Sequence, residues 1–243
     1  DPIADRAVRP PVVVRARVTD RHSSVDHAEV QVDGGAWQAL AGDLDGRMAR
    51  TLGALAEGQH ALRVRAIDRF GNEAISAPRA FIVDATAPSI TIAGITDGDL
   101  RNVPVVPTVA FADADLDPLR TTLMLDGVAF VSGTPVVSEG AHVLLAGASD
   151  RAGNRSERVV RFTLDFSAPA LAFIAPLDGT ITNSESVATQ LATEAGASVV
   201  VSVGAFTAEV VAGADGRAIF PLVPLQPGDN TLTARATDAA ANS

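Results

Sequence analysis

The chain has 243 residues, of which 47% are hydrophobic, and its formal net charge is −10. That length and apolar content allow a packed core in one large domain or in two to three small ones, and they exclude wholesale disorder. The acidic charge disfavours phosphate backbones and anionic lipid surfaces, so we expect neither nucleic-acid binding nor membrane insertion. Cysteine is absent, which excludes a disulfide framework and thiolate metal sites.

The first predicted element is a β-hairpin. An alternating apolar-polar run leads into an Asp-Gly pair at residues 28–34, and a second such run leads into an Asp-Gly pair at residues 122–127. Asp-Gly after an alternating run is a strong hairpin signal, because both residues accept the positive φ angles of a tight turn. The longest apolar run, residues 168–177, is short and contains two prolines, so no membrane span is predicted.

Three segments of the chain align without gaps, namely residues 58–72, 140–154 and 228–242. Each begins with Gly, continues with period-2 alternation and ends in Asp-x-x-(Gly/Ala)-Asn. Alternation of period 2 predicts a strand with one buried face, and the Asp, Gly and Asn residues predict a tight turn after it. The predicted strands are residues 60–67, 142–149 and 230–237.

One leucine recurs at the same place in each repeat, and Leu62, Leu144 and Leu232 are therefore predicted to be buried equivalents. Two positions before it stand His60 and His142, with Asn in the third copy. We interpret these positions as polar turn residues, because the asparagine of the third copy suits a turn but cannot act as a general base.

A second motif joins the repeats, since residues 81–88 match residues 162–169 in the pattern Phe-x-x-Asp-x-(Thr/Ser)-Ala-Pro. A strand is predicted to end at the Asp, and Pro then interrupts it and begins the next strand. Boundaries are therefore predicted near residues 86 and 167. The resulting modules are residues 1–86, 87–167 and 168–243, each of a size that suits a seven-stranded sandwich.

The third module is predicted to lack its last strand. In the first two modules a closing strand containing Phe81 or Phe162 follows the Asp-Asn turn, and no counterpart follows Asn242. A sandwich without that strand would expose an unpaired edge. We expect the strand to come from a continuation past Ser243, with a strand donated by another chain or residues 1–9 of a neighbouring copy as alternatives.

The pattern Ala-x-Asp-x-x-Gly-Asn, followed by Asp-x-(Thr/Ser)-Ala-Pro, resembles the bacterial immunoglobulin-like (Big-type) repeat modules of large surface proteins and secreted multidomain enzymes. The resemblance covers essentially the whole chain, and the third module looks like a slightly different subfamily. It implies an all-β fold of three tandem immunoglobulin-like sandwiches, the third incomplete. It also implies a use as stalk, adhesin repeat or accessory domain, and some relatives bind calcium between modules.

Oxygen-bearing side chains occur near both predicted junctions and, if they converge, would suit Ca²⁺. The alternative, which we favour, is that they only cap turns. The candidate ligands are Asp68, Asn72, Asp84, Asp97 and Asp99 at the first junction and Asp150, Asn154, Asp165 and Asp178 at the second. Alternate aspartates at 113, 115 and 117 also resemble a hard-cation loop, but Pro118 replaces the glycine that an EF-hand needs, so we interpret them as a solvated turn.

No nucleophile elbow, zinc-helix motif or phosphate loop occurs in the sequence, and the protein is predicted not to be an enzyme. The prediction is a non-catalytic spacer or adhesion segment of a larger bacterial protein, extracellular or at the cell surface. Its partners would be other modules of the same chain and a host, cell-surface or glycan ligand. The alternative is an accessory region, glycan-binding or supporting, of a secreted polysaccharide-active enzyme, although the single Trp37 is better explained by packing.

Overall fold

The computed structural model describes residues 7–22, 24–42 and 46–243. Within those ranges the chain forms twenty-two strands and a single 3₁₀ turn, Pro118–Arg120. The predicted all-β class is therefore confirmed.

The chain divides into two compact units. The first contains the described residues up to 91 together with 109–124 and 145–158, and the second contains 92–108, 125–144 and 159–243. Residues 87–167, the predicted second module, contribute to both units, and the boundaries near 86 and 167 stay predictions.

The N-terminal strands form two sheets with one core between them. One sheet has the order β1-β9-β7-β3-β4, with β8 paired to β7, and the other has the order β2-β6-β5. Val14, Val30, Leu62 and Phe81 come from both sheets into one buried cluster, which is the arrangement of a β-sandwich. The strands are β1 Ala7–Val8, β2 Val13–Arg17, β3 Val25–Val32, β4 Gln38–Ala39, β5 Ala41–Gly42, β6 Arg47–Thr51, β7 Gly58–Asp68, β8 Glu73–Ile75 and β9 Arg79–Val83.

The middle of the chain adds a two-stranded sheet, β10-β12, and a five-stranded sheet in the order β11-β16-β15-β13-β14. Leu144, Ala146 and Ala148 alternate along β15 and are buried, as the period-2 pattern of the repeat predicts. The strands are β10 Ser89–Ala93, β11 Asp99–Arg101, β12 Thr108–Ala112, β13 Thr122–Leu125, β14 Val128–Ala129, β15 Gly140–Ser149 and β16 Arg155–Leu164.

The C-terminal strands form two three-stranded sheets, β17-β18-β21 and β20-β19-β22. Their buried faces share a core that includes Leu191, Val199, Val201 and Phe220. The strands are β17 Ala172–Ala175, β18 Ser186–Ala192, β19 Ser198–Val203, β20 Phe206–Val211, β21 Arg217–Pro224 and β22 Thr233–Thr237.

Strand β7 shows how the repeated strand is held. Its first part, residues 58–62, pairs with the closing strand β9, and residues 62–68 pair with β3. The first half of the strand therefore bonds to β9, and the second half bonds to β3 and, at residues 65–67, also to β8.

Strand β22 begins at Thr233, three residues later than the predicted start at 230. It pairs with β19 through residues 233–237, which correspond to 63–67 of β7, and no closing strand lies beside it in the described part of the chain. Residues 228–232 correspond to the part of β7 that β9 holds. Residues 228–232 are not part of the strand, and no equivalent of β9 pairs with them in the described part of the chain.

The predicted burial of the three equivalent leucines is confirmed for two of them. Leu62 is 5% exposed and Leu144 is 0% exposed, whereas Leu232 is only half-buried. The prediction of full burial is wrong for Leu232, and no strand in the described part of the chain covers it as β9 covers Leu62.

The effect of replacing each leucine by alanine on the free energy of unfolding should distinguish the two buried leucines from the half-buried one. Leu62→Ala and Leu144→Ala should each cost roughly 2–5 kcal/mol of unfolding free energy, since lost burial and a cavity add. Leu232→Ala should cost less than about half as much, because its side chain already contacts water. Urea unfolding measures all three. A cost below about 0.5 kcal/mol for Leu144→Ala would show that the strand register is wrong.

Candidate functional site

The three repeated turns share one hydrogen-bond pattern. In each, the Asp backbone N–H donates to the Asn carbonyl four residues later, at 3.0 Å from Asp68 and at 3.1 Å from both Asp150 and Asp238. The Asn backbone N–H donates to Asp Oδ1 at 2.8 Å in all three turns. The Asn side-chain amide donates to Asp Oδ2 at 2.8, 2.7 and 2.9 Å. Each Asp thus closes its own turn from both carboxylate oxygens.

Two of these turns also contact the linker that precedes their part of the chain. The Asn154 side-chain amide donates to the Asp84 carbonyl at 3.0 Å. The Asn242 side-chain amide donates to the Asp165 carbonyl at 2.8 Å. Asp84 and Asp165 are the residues at which the two predicted linkers begin, so the same contact recurs further along the chain, with the acceptors 81 residues apart and the donors 88 residues apart. We call it the Asn clamp.

The linkers themselves are ordered by a second repeated set of bonds. The Thr86 N–H donates to Asp84 Oδ1 at 3.1 Å, and the Ser167 N–H donates to Asp165 Oδ1 at 3.2 Å. The Thr86 hydroxyl donates to Glu57 at 2.7 Å, and the Ser167 hydroxyl donates to Glu139 at 3.0 Å. Each linker is therefore held through a backbone carbonyl, a backbone amide and a hydroxyl.

Three carboxylates converge beside the first Asn clamp. One oxygen from each of Asp84, Asp113 and Asp150 lies within 4.8 Å of the others, and this is the only such group of three among the described residues. Oxygens that share a Ca²⁺ ion at 2.3–2.6 Å lie at most about 5 Å apart, so the spacing fits a hard cation. Burial, and then the charges of Asp150, Asp113 and Glu57, raise the pKa of Asp84 above its ordinary value, although the Thr86 amide opposes this.

The structure groups the predicted ligands differently from the sequence. It brings Asp84 to Asp150 and Asn154, and it adds Asp113, which the sequence indicated only as part of a solvated turn. Asp68 and Asn72 bond to each other within their turn.

The remaining predicted ligands are engaged elsewhere. Asp97 accepts the Arg161 backbone N–H at 2.8 Å. Asp99 accepts from the Thr96 hydroxyl at 2.6 Å, and this bond, followed by the Thr96 amide and Arg101, lowers the pKa of Asp99 to about 2. Asp178 lines a groove in the second unit.

Calcium binding at the three-carboxylate group is open to direct test. If the group binds Ca²⁺, adding Ca²⁺ should raise the melting temperature and EDTA should reverse the rise, because an ion that binds only the folded state stabilises it. Asp113→Asn should abolish most of the effect, since it removes one charge and keeps a side-chain oxygen. Titration calorimetry measures binding directly. The absence of both heat and a shift in melting temperature would leave only the turn-capping interpretation.

The sequence missed the pairing of two histidines with the hairpin aspartates. His60 Nδ1 lies 2.6 Å from Asp33 Oδ2 and its Nε2 lies 2.8 Å from the Ala56 carbonyl. His142 Nδ1 lies 2.7 Å from Asp126 Oδ2 and its Nε2 lies 2.9 Å from the Ser138 carbonyl. In both rings each nitrogen faces an oxygen acceptor, and only the imidazolium form can donate from both nitrogens. Asn230 keeps the equivalent carbonyl contact, donating to Gln226 at 2.7 Å.

The pKa shifts of these groups agree with that geometry. The Asp33 carboxylate is the largest cause that raises the pKa of His60, and the Ala56 carbonyl adds to it. Burial lowers the pKa of His142, but the bonds to Asp126 and Ser138 outweigh it and the net shift is upward. A raised folded-state pKa contributes stability that is complete below the ordinary value of 6.5 and is lost as pH rises through the folded-state pKa.

The free energy of unfolding should therefore fall as the pH is raised above 6.5 and through the raised pKa values of His60 and His142, and then level off. His60→Asn together with His142→Asn copies the residue at position 230 and should flatten this part of the profile. Chemical unfolding at closely spaced pH values measures it. An equal decline in the double variant would show that other groups cause the pH dependence.

Trp37 is half-buried, and the Arg65 guanidinium lies 4.5 Å from its ring centroid. One face of the ring is therefore covered by a cation. The described residues contain no helix long and apolar enough to cross a membrane.

No family model and no curated protein matches the sequence. Several solved structures are similar to the chain at low identity. One holds fibronectin type III-like modules of CbhA from Clostridium thermocellum, with 15% identity and a TM-score of 0.38 over 67% of this chain and 90% of that one. Another is a tetra-tandem repeat from the extending region of a large adhesion protein, with 17% identity and a TM-score of 0.37 over 99% and 72%.

A third similar structure is that of a 1.5-MDa bacterial ice-binding adhesin, described for its retention at the host cell surface. It has 16% identity and a TM-score of 0.36 over 98% of this chain and 90% of that one. Because all three scores are low, the fold assignment rests on the strands, sheets and cores described above.

Proposed function

We propose that this chain is a non-catalytic segment, built from bacterial immunoglobulin-like modules, that spaces or presents other parts of a larger surface or secreted protein. It acts outside the cell or at the cell surface, and adhesive contact with a host, cell-surface or glycan ligand is part of the proposal. The observation that carries it is the repeated Asn clamp, which holds both predicted linkers in the same way.

A held linker is what a spacer needs. A free linker of a few residues samples many conformations, and its two ends then keep no fixed direction. In the first unit, Asn154 and Glu57 hold residues 84–86 from two sides. In the second unit, Asn242 and Glu139 do the same for residues 165–167. Repetition of all these bonds argues for a structural use, because a ligand-binding site would need to occur only once.

The alternative role, an accessory region of a secreted polysaccharide-active enzyme, is supported less well. Sugar recognition uses exposed aromatic faces, and the chain has only 4% aromatic residues. Its one tryptophan is half-buried and carries Arg65 on one face.

The Asn clamp can be tested with a control from the same chain. Asn154→Ala removes the side-chain bond to Asp150 and the clamp, whereas Asn72→Ala removes only the equivalent side-chain bond to Asp68. We expect Asn154→Ala to lower the backbone order parameters of residues 84–88 below about 0.6, the range of flexible backbone, and Asn72→Ala to leave them near 0.85. NMR relaxation measures both. Equal order parameters in the two variants would show that the Asn clamp does not restrict the motion of the linker.

The same preparations separate the two roles. The spacer role predicts no glycan binding that depends on Trp37 and no hydrolysis of polysaccharides. Specific glycan binding that Trp37→Ala abolishes would support the accessory role and contradict the spacer role.

A further inference from the structure

A groove of about 910 Å³ lies in the second unit between the segment that follows β17 and the segment that precedes β22. Apolar side chains along it contact water, since Phe173 is 40% exposed, Leu177 73% and Ile181 98%. Leu232, the half-buried equivalent of Leu62, lies on its other side. Exposed apolar surface of this kind in a folded protein marks a place where another element packs.

In two other parts of the chain, a closing β-strand occupies the place that corresponds to this groove. Strand β9 lies between β1, which is parallel to it, and β7, which is antiparallel to it. Strand β16 likewise pairs in parallel with β11 and lies beside β15. In both cases an aromatic ring of the closing strand packs on the repeated histidine, with centroids 5.5 Å apart for Phe81 on His60 and 5.2 Å apart for Phe162 on His142.

Both walls of the groove lack the strand structure that these partners induce. Residues 180–182 correspond to β11, which pairs only with β16, and residues 228–232 correspond to the part of β7 that pairs with β9. Neither 180–182 nor 228–232 is a strand. Loss of one shared partner explains both gaps.

The turn that would bind the first residues of a closing strand is present in the second unit. Asp97 Oδ1 accepts the Arg161 N–H at 2.8 Å, and the Gly98 N–H donates to the Arg161 carbonyl at 2.7 Å. Asp178 and Gly179 occupy the equivalent turn, and Gly179 has the same positive φ, 74° against 83° for Gly98. Asp178 is exposed, and no hydrogen bond among the described residues reaches its carboxylate.

The turn that follows β22 has the same geometry as the two turns that precede the closing strands. Its bonds between Asp238 and Asn242 match those of the turns at Asp68 and Asp150, which lead directly into the segments that carry β9 and β16. The φ angle of Ala241, 71°, reproduces the left-handed conformation of Gly71 and Gly153. A strand joined to this turn would therefore run antiparallel to β22.

We propose that the groove is the binding site of a closing β-strand, a polypeptide segment that pairs there as β9 and β16 pair in their own sheets. The strand runs antiparallel to residues 228–232 and parallel to residues 180–182. Pairing of Phe81 with His60 and of Val83 with Gly58 sets the register, so an aromatic residue lies opposite Asn230 and an aliphatic one opposite Gly228. The occupant therefore has the pattern aromatic-x-aliphatic-Asp.

Charge complementarity supports the same occupant. Asp178, Glu185 and Asp229 line the groove. Strand β9 begins with Arg79, and β16 carries Arg155, Arg158 and Arg161. A strand with arginines before its aromatic residue would meet carboxylates at the rim.

The test uses a fluorescein-labelled peptide copy of residues 155–165 and two forms of the protein. One form is the 243-residue chain. The other carries a copy of residues 155–165 in place of Ser243, so that the strand follows the turn covalently. The control peptide and control extension have serine at the positions of Phe162 and Leu164. Fluorescence anisotropy measures peptide binding, and thermal unfolding measures the effect of the extension.

We expect the 243-residue chain to bind the peptide and not the control, and Asp178→Ala to weaken binding several-fold. The extended chain should no longer bind the peptide and should melt higher than the control extension, because a covalently joined strand acts at millimolar effective concentration. Peptide binding that the extension leaves unchanged would overturn the assignment of the groove. An extension that neither raises the melting temperature nor prevents peptide binding would also overturn the assignment. A stable dimer of the 243-residue chain that does not bind the peptide would instead show that a second copy occupies the groove.

Discussion

The structure depends on the two-sided pairing of the strand that precedes each Asp-Asn turn. A buried backbone N–H or C=O without a partner is costly, so each stretch of this strand forms only where a neighbour accepts its hydrogen bonds. In β7, β9 supports the first part and β3 the second, and the result is eleven continuous residues of strand. In β22 only β19 is present, and the strand shortens to five residues.

The turns after these strands also form hydrogen bonds to the linkers. A strand that ends in Asp-x-x-(Gly/Ala)-Asn closes its turn with the Asp carboxylate, and that closure leaves an Asn amide hydrogen free to reach outside the turn. At Asn154 and Asn242 that hydrogen bonds to the carbonyl of the residue that begins a linker. One local motif therefore ends a strand, orders a loop and holds a linker, which explains why the motif recurs with so little change.

The strands and buried positions that follow from local sequence pattern could be predicted from the sequence. The contacts between residues far apart in the chain could not. Alternation was enough to predict β7 and β15 and the burial of Leu62 and Leu144. It failed for Leu232 because the cover of that residue belongs to another strand. The Asp33–His60 pair joins residues 27 positions apart, and no spacing rule within one strand indicates it. Asp113 approaches Asp84 and Asp150 only through tertiary folding, so the carboxylates could be recognised from the sequence but their grouping could not.

Residue-resolved hydrogen exchange on the unaltered chain tests the central claim most directly. Amides of residues 58–62 that bond to β9 should exchange slowly, as amides in paired strands do, and residues 233–237 should be protected by β19. Residues 228–232 should exchange far faster, close to the rate of unstructured peptide. Equal protection of 58–62 and 228–232 would contradict the account, because it would show that this stretch of the strand does not depend on a closing partner.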